Sequence, residues 1–243
     1  MIDYNCYVGA WPFHKLRRYT FEDLMAVHKE NGIEYGYVSS IQSIFYNDCY
    51  ESQKEMYETI KDTPYKQVTV INPAISTCVH TLKRCIKEFD ISGVRLAPGY
   101  HGYNINSDVV KPVIDIAREY NLPLFITARM LDERLTHMIH PEIISGDDVR
   151  IFAQNNKDVT IVLCHFKDAQ MPKLEDVLLN NPRLFTDISG FASPLLSDDG
   201  QKMQYKKAVL GTGWPLKNVK STVMRIEIEI KELYDNRFDK DIL

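Results

Sequence analysis

The sequence lacks several things, and each absence removes a class of function. No stretch of its 243 residues comes near the roughly 18 consecutive apolar residues that a membrane-spanning helix needs, so no membrane span is expected. No basic run tracks along it. Twenty-nine lysines and arginines stand against 33 acidic residues, a formal charge of −4, so no nucleic-acid partner is expected. No C-x-x-C pair occurs among the five scattered cysteines, 6, 49, 78, 85 and 164, and free, mostly buried thiols are the expected state. No internal repeat, low-complexity tract or linker divides residues 1–243, which predicts a single domain. The N-terminus shows no basic segment leading into a long apolar one, and the cytoplasm is the expected compartment.

What is present is a regular alternation. With 44% hydrophobic and 26% charged residues the chain is long enough for one large core. Strand-like patterns fall at 2–8, 34–40, 67–72, 93–97, 123–127, 159–164, 184–189 and 207–211. Helix-like patterns fill the gaps. Phe21, Leu24, Met25 and His28 share a face behind Thr20 as N-cap, and Val110, Val113, Ile114 and Ala117 repeat that spacing. Further helices are predicted near 48–61, 76–88, 147–155, 170–180, 198–205 and 217–234. In the last of these Ile226 and Ile230 offer a face on which two copies of the chain could pair as a homo-oligomer. Eight strands alternating with helices predict the α/β class and a single (β/α)8 TIM barrel.

Barrels of this kind carry function at the C-terminal ends of their strands. The residues to examine are therefore Asn5 and Tyr7, Ser40, Asn72, Arg95 with Tyr100 and His101, Thr127 with Arg129, His165, Asp187 with Ser189, and Thr212 to Trp214.

These strand ends resemble those of the amidohydrolase superfamily, in particular its amidohydrolase-related group of metal-dependent TIM-barrel hydrolases and decarboxylases. The group's first strand reads I-D-x-H-x-H-x-G; the frame here is Ile2-Asp3-Tyr4-Asn5-Cys6-Tyr7-Val8-Gly9. Gly93 to Tyr100 is similar to its G-[VI]-[KR]-L-x-P-G-Y stretch, and Leu122 to Ile126 to its fifth strand, which would end in a histidine where Thr127 stands. Ile161 to His165 keeps the sixth-strand histidine. Phe185 to Gly190 resembles y-x-D-x-S-G, and Leu210 to Pro215 resembles G-[ST]-D-W-P with Gly213 in place of the aspartate. The resemblance implies a divalent metal held by four positions that are here Asn5, Tyr7, Thr127 and Gly213.

None of those four is a good Zn²⁺ ligand, so no metal and no other cofactor is expected. Cys6 and Cys164 are each one residue out of register with an inward position and should point toward the helices. His137 and His140 share a helical face, but Pro141 follows and no third ligand is near; a polar loop over the mouth is the simpler reading, as it is for the charged segment Asp132-Glu133-Arg134. By parity Asp3 faces the barrel low on the first strand in a structural role. Arg95 should point inward and needs a counter-charge, from Asp187 or from a substrate carboxylate. Asp187 could equally orient His165.

Two functional readings follow. In the first, the chain is a metal-independent hydrolase or lyase acting on a small anionic lactone or ester. His165 is then the general base with Asp187 beside it, Arg95 or Arg129 holds the anionic group, and Asn5 or Tyr7 donates to the oxyanion. Thr127 lines the pocket and Trp214 walls it. In the second, the barrel is a pseudoenzyme that keeps fold and pocket and binds a ligand or partner without turnover.

Overall fold

Eight short runs rich in β-branched and aromatic residues become eight parallel strands in a computed structural model that describes residues 1–130, 141–191, 207–230 and 241–243. They are β1 (Ile2–Val8), β2 (Tyr35–Ser40), β3 (Lys66–Val70), β4 (Ile91–Leu96), β5 (Leu124–Thr127), β6 (Ile161–Cys164), β7 (Leu184–Asp187) and β8 (Ala208–Val209), paired in sequence order. The seam between β8 and β1 is bridged by the backbone. Tyr4 N–H donates to Leu210 C=O at 2.7 Å, Gly213 N–H to Asn5 C=O at 2.8 Å and Tyr7 N–H to Trp214 C=O at 2.9 Å. The architecture is a (β/α)8 TIM barrel.

The helices between the strands are α1 (Phe21–Glu30), α2 (Gln42–Phe45), α3 (Tyr50–Ile60), α4 (Cys78–Glu88), α5 (Pro98–His101), α6 (Lys111–Glu119), α7 (Gly146–Asn155), α8 (Glu175–Asn180) and α9 (Val219–Arg225). Thr20 starts α1 through a capping box with Asp23. Phe21, Leu24 and His28 are buried on that helix while Met25 is exposed, so the buried face is narrower than its spacing predicts. The short α2 and α5 lie in rim segments where the sequence pattern predicts loop. The α9 helix continues as a π-turn over Ile226–Ile230; Ile226 is buried and so is not available for the pairing expected of it, while the Ile230 side chain lies outside what the structure describes. The predicted helix at 198–205, the end of the one at 217–234, Asp132 to Arg134, His137 and His140 lie outside the described residues. Among the described residues no helix is long and apolar enough to cross a membrane.

Alternation sorts the side chains into layers. Cys6, Val38, Val94, Leu96, Ile126 and Leu163 join the core between strands and helices, whereas Tyr4, Tyr37, Val68, Phe125, Val162 and Cys164 pack inside the barrel. Cys164 therefore points inward, contrary to expectation; its parity was inferred from that of His165, and the chain turns between them. Asp3 also departs. A register shift between Asp3 and Cys6 against β2 slips the parity of β1, so that Tyr4 faces the interior and Asp3 meets His28 of α1.

Both barrel ends are closed. At the N-terminal end Asp241 accepts hydrogen bonds from Tyr35 (2.8 Å), Tyr37 (2.9 Å) and Lys66 (2.6 Å), and Ile242 N–H donates to Tyr4 Oη. At the C-terminal end Tyr7, Trp11, Ile41, Ile44, Val70, Ala97 and Met130 form an apolar cluster over the strands.

Candidate active site

Between the interior layer and that apolar cap lies a polar layer built from strand ends. Its centre is Arg95, the inward residue near the end of β4, with no solvent exposure. Nε donates to Ser39 Oγ at 2.8 Å. Nη1 is shared among three oxygens: Tyr7 Oη at 2.6 Å, Thr127 Oγ1 at 2.8 Å and Asn5 Oδ1 at 2.9 Å. Nη2 is buried without a hydrogen-bond partner. The guanidinium also lies over the rings of Tyr7 and Phe125, 4.5 and 5.4 Å from their centroids.

Arg95 makes no ion pair with any described residue. Neither of the partners weighed for Asp187 is met directly: Asn5 bridges it to Arg95, donating from Nδ2 to Asp187 Oδ2 at 2.6 Å while its Oδ1 faces the guanidinium. Asp187 likewise touches the backbone of His165 and not its ring. Its Oδ1 accepts from the His165 N–H at 3.0 Å and the Ser189 N–H at 3.2 Å, and its Oδ2 from Ser189 Oγ at 2.8 Å. Burial raises the Asp187 carboxyl to about 6, against the lowering effect of those donors.

His165 reaches the layer by an unusual route. Strand parity would send it outward, but its φ of +62° turns the chain just past β6 and swings the ring inward. Nδ1 lies 3.0 Å from Ser189 Oγ; Nε2 lies 3.0 Å from Asn5 Nδ2 and 3.2 Å from Tyr7 Oη. Since Ser189 gives its proton to Asp187 and Asn5 Nδ2 can only donate, the network assigns the proton to Nδ1 and leaves the Nε2 lone pair facing Asn5 and Tyr7. Burial, then Lys217 and Arg95, hold the imidazole well below its ordinary pKa, so the ring is neutral. Burial also pushes the Tyr7 phenol up, with Arg95 opposing.

Gly213 completes the layer by having no side chain. Its φ is +65°, and a Cβ there would lie 2.8 Å from His165 Cε1 and 3.3 Å from Lys217 Cδ. The His165 ring thus occupies the space into which a residue at 213 would reach.

The donor set does not fit a divalent metal. Asn5 offers an amide, Tyr7 a phenol with a raised pKa and Thr127 a hydroxyl, all three already accepting from one cationic nitrogen; Gly213 offers nothing. Cys164, now known to face inward, is a thiol whose pKa burial raises.

Of the site residues read from sequence, Asn5, Tyr7, Arg95, Thr127, His165 and Asp187 converge. Arg129 stands half-buried just past β5 and makes no hydrogen bond to this cluster. Trp214 is buried and lines a cleft between α1 and the start of α9. Ser39 and Lys217 were missed, and Ser189 was noted without a role. Ser39 shares inward parity with Tyr37, a signal the sequence did carry. Lys217, whose ammonium donates to the Ser189 carbonyl, lies in a loop with no periodicity to read.

A sequence model of the amidohydrolase family matches residues 11–226. No curated protein matches the chain in sequence. Among solved structures, it is similar to an uncharacterised TIM-barrel protein from Bordetella bronchiseptica (TM-score 0.68, 15% identity, 92% of this chain and 89% of that one). A dihydroxybenzoic acid decarboxylase from Polaromonas sp. JS666, with bound manganese and the inhibitor 2-nitroresorcinol, matches at TM-score 0.66 and 12% identity over 94% and 90% of the two chains. A putative 2-pyrone-4,6-dicarboxylic acid hydrolase from Pseudomonas putida matches at 0.63 and 12%, over 93% and 89%. At such identities these likenesses speak for the fold.

Proposed function

The chain is a member of the amidohydrolase family, and we propose that it is a metal-independent one, a hydrolase of small anionic lactones or esters with His165 as general base. One observation carries the reading. Arg95 Nη1 stands 2.6–2.9 Å from Asn5, Tyr7 and Thr127, so a fixed protein cation fills the point on which those strand ends converge. The unprotonated Nε2 of His165 faces the same Asn5 and Tyr7.

In this mechanism the neutral imidazole takes a proton from water as the water oxygen attacks the carbonyl carbon. Arg95 and the Tyr7 hydroxyl hold the developing oxyanion. Collapse breaks the bond to the leaving oxygen, which receives the proton back from His165. The spare Nη2 donors of Arg95, with Arg129 at the rim, hold the substrate's anionic group. A base of low pKa is weak, which restricts the chemistry to acyl groups as reactive as a lactone. Entry requires that Trp11, Ile44 and Met130 move aside.

One observation favours a second reading, ligand binding without turnover: both His165 nitrogens are already hydrogen-bonded beneath the apolar cap. A panel of carboxylated lactones and small esters separates the two. Turnover by wild type that survives chelator and is lost in His165→Asn supports the hydrolase; asparagine tolerates the positive φ at 165. Anions that raise the melting temperature with no substrate turned over favour binding. Stoichiometric Zn, Mn or Fe in protein purified without chelator would overturn metal independence.

A further inference from the structure

A cleft with a volume of about 510 Å³ lies outside the polar layer, between α1 and the start of α9. That is the size of an ordinary small-molecule site, typically about 300–1,000 Å³. Its apolar surface comes from Leu16, Val27, Trp214, Pro215 and Val219. Its charge is one-sided. Among the described residues Arg17, Arg18, Lys217 and Lys220 line it against a single carboxylate, Glu30, in a chain whose net charge is −4.

Arg17, Arg18 and Lys220 are little engaged with other described residues. Arg17 and Lys220 are exposed and pair with no described residue. Arg18 reaches Asp23 and Glu30 only at 4.0 and 3.9 Å, with half its side chain in solvent, and such pairs hold little. A cleft with apolar walls and, at its edge, Arg17 and Lys220 that no described carboxylate neutralises fits a ligand with an apolar body and an anionic end.

We propose that this cleft is a binding site for a small carboxylate carrying an aromatic or aliphatic body. The carboxylate lies between Arg17 and Lys220, and the body rests against Trp214 and Val27. The site stands whether or not His165 turns a substrate over, since none of the polar-layer hydrogen bonds takes part in it. It also borders that layer: Lys217 lines the cleft, and its ammonium donates to the Ser189 carbonyl beside the His165 ring.

Calorimetric titration of the full chain with naphthoate, uncharged naphthamide and inorganic phosphate tests the site, with hydrogen exchange locating the ligand. The expected result is one naphthoate per chain, protection of residues 214–220 and 27–31, and binding of naphthamide and phosphate each weaker by about tenfold or more. Arg17→Glu and Lys220→Glu should each weaken naphthoate by about tenfold, and added salt should weaken it in wild type. The same titration on His165→Asn should be unchanged, which separates this site from the proposed catalysis. No naphthoate binding at about 5 mM, equal binding of the amide, or protection away from the cleft would overturn the proposal. Should a reversal variant not fold, the wild-type exchange footprint and the amide comparison decide alone.

Discussion

Gly213→Ala is the most direct probe of the polar layer, because its cost divides into two parts that separate variants can measure. The first is conformational. At φ +65° an L-residue is strained by about 1–2 kcal/mol, of which the stiffer unfolded chain returns roughly 0.4–1. The second is steric. The new Cβ would sit 2.8 Å from His165 Cε1, and that ring cannot swing away cheaply because Ser189 holds one nitrogen and Asn5 and Tyr7 the other. Overpacking of this kind costs about 1–3 kcal/mol. Gly102 is the matched control: its φ is +69°, and a Cβ there meets nothing within 4 Å. Gly102→Ala should therefore lose only the conformational part, about 0.5–1 kcal/mol. Gly213→Ala should lose about 2–4 kcal/mol, a fall in melting temperature of roughly 5–15 °C for a chain of this length. Urea unfolding of both variants, with the His165 imidazole followed by NMR, measures the difference. Equal losses to within about 0.5 kcal/mol, with an unshifted imidazole, would refute the placement of the ring over Gly213.

Two further outcomes test the charges at either end of the barrel. Asp187, raised from 3.8 to about 6 by burial, binds its proton more tightly folded than unfolded. It therefore costs no stability below about pH 4 and about 3 kcal/mol once pH has risen through 6. Relative to wild type, Asp187→Asn should gain about 3 kcal/mol between pH 4 and 7.5; a pH-independent difference would sink the argument. At the other end, Asp241→Ala removes the common acceptor of Tyr35, Tyr37 and Lys66 and should cost about 2–3 kcal/mol in urea unfolding. An unchanged midpoint would mean that the C-terminal residues do not seal the barrel.

The order and type of the strands were legible because period-2 runs alternate with period-3.6 runs, and all eight predicted strands form. The legible part of the site was its frame. Asn5, Tyr7, Arg95, Thr127, His165 and Asp187 sit at strand ends, and barrel geometry brings strand ends together whatever their chemistry. Strict alternation failed at two places, and both lie in the site. The register shift after Asp3 and the positive φ of His165 each exchange inside for outside. Neither leaves a mark in the hydrophobic pattern, because all the residues involved are buried. The β8 strand is shorter than its apolar run, since 210–214 leave the β7 edge to close the seam with β1.

In the proposed metal-independent reading, a side chain stands where an ion would. A guanidinium is permanently charged, cannot be removed by a chelator and delocalises one charge over three nitrogens. Buried without a counter-ion, it is tolerable here because four oxygens and two ring faces surround it, and because Asn5 passes its field on to Asp187. Such a group can polarise a carbonyl, which is one service a bound metal renders. It cannot perform the other, bringing the pKa of water toward about 7, because it offers donors and no open coordination position. In the proposed mechanism activation of water falls to His165, whose Nε2 lone pair must exchange the Asn5 amide for water and whose basicity is depressed by burial and by the cations Lys217 and Arg95. That mechanism pairs an electrophile at full strength with a weakened base, a combination that suits substrates whose acyl carbon is already reactive, and the base sets the limit on what such a barrel would cleave.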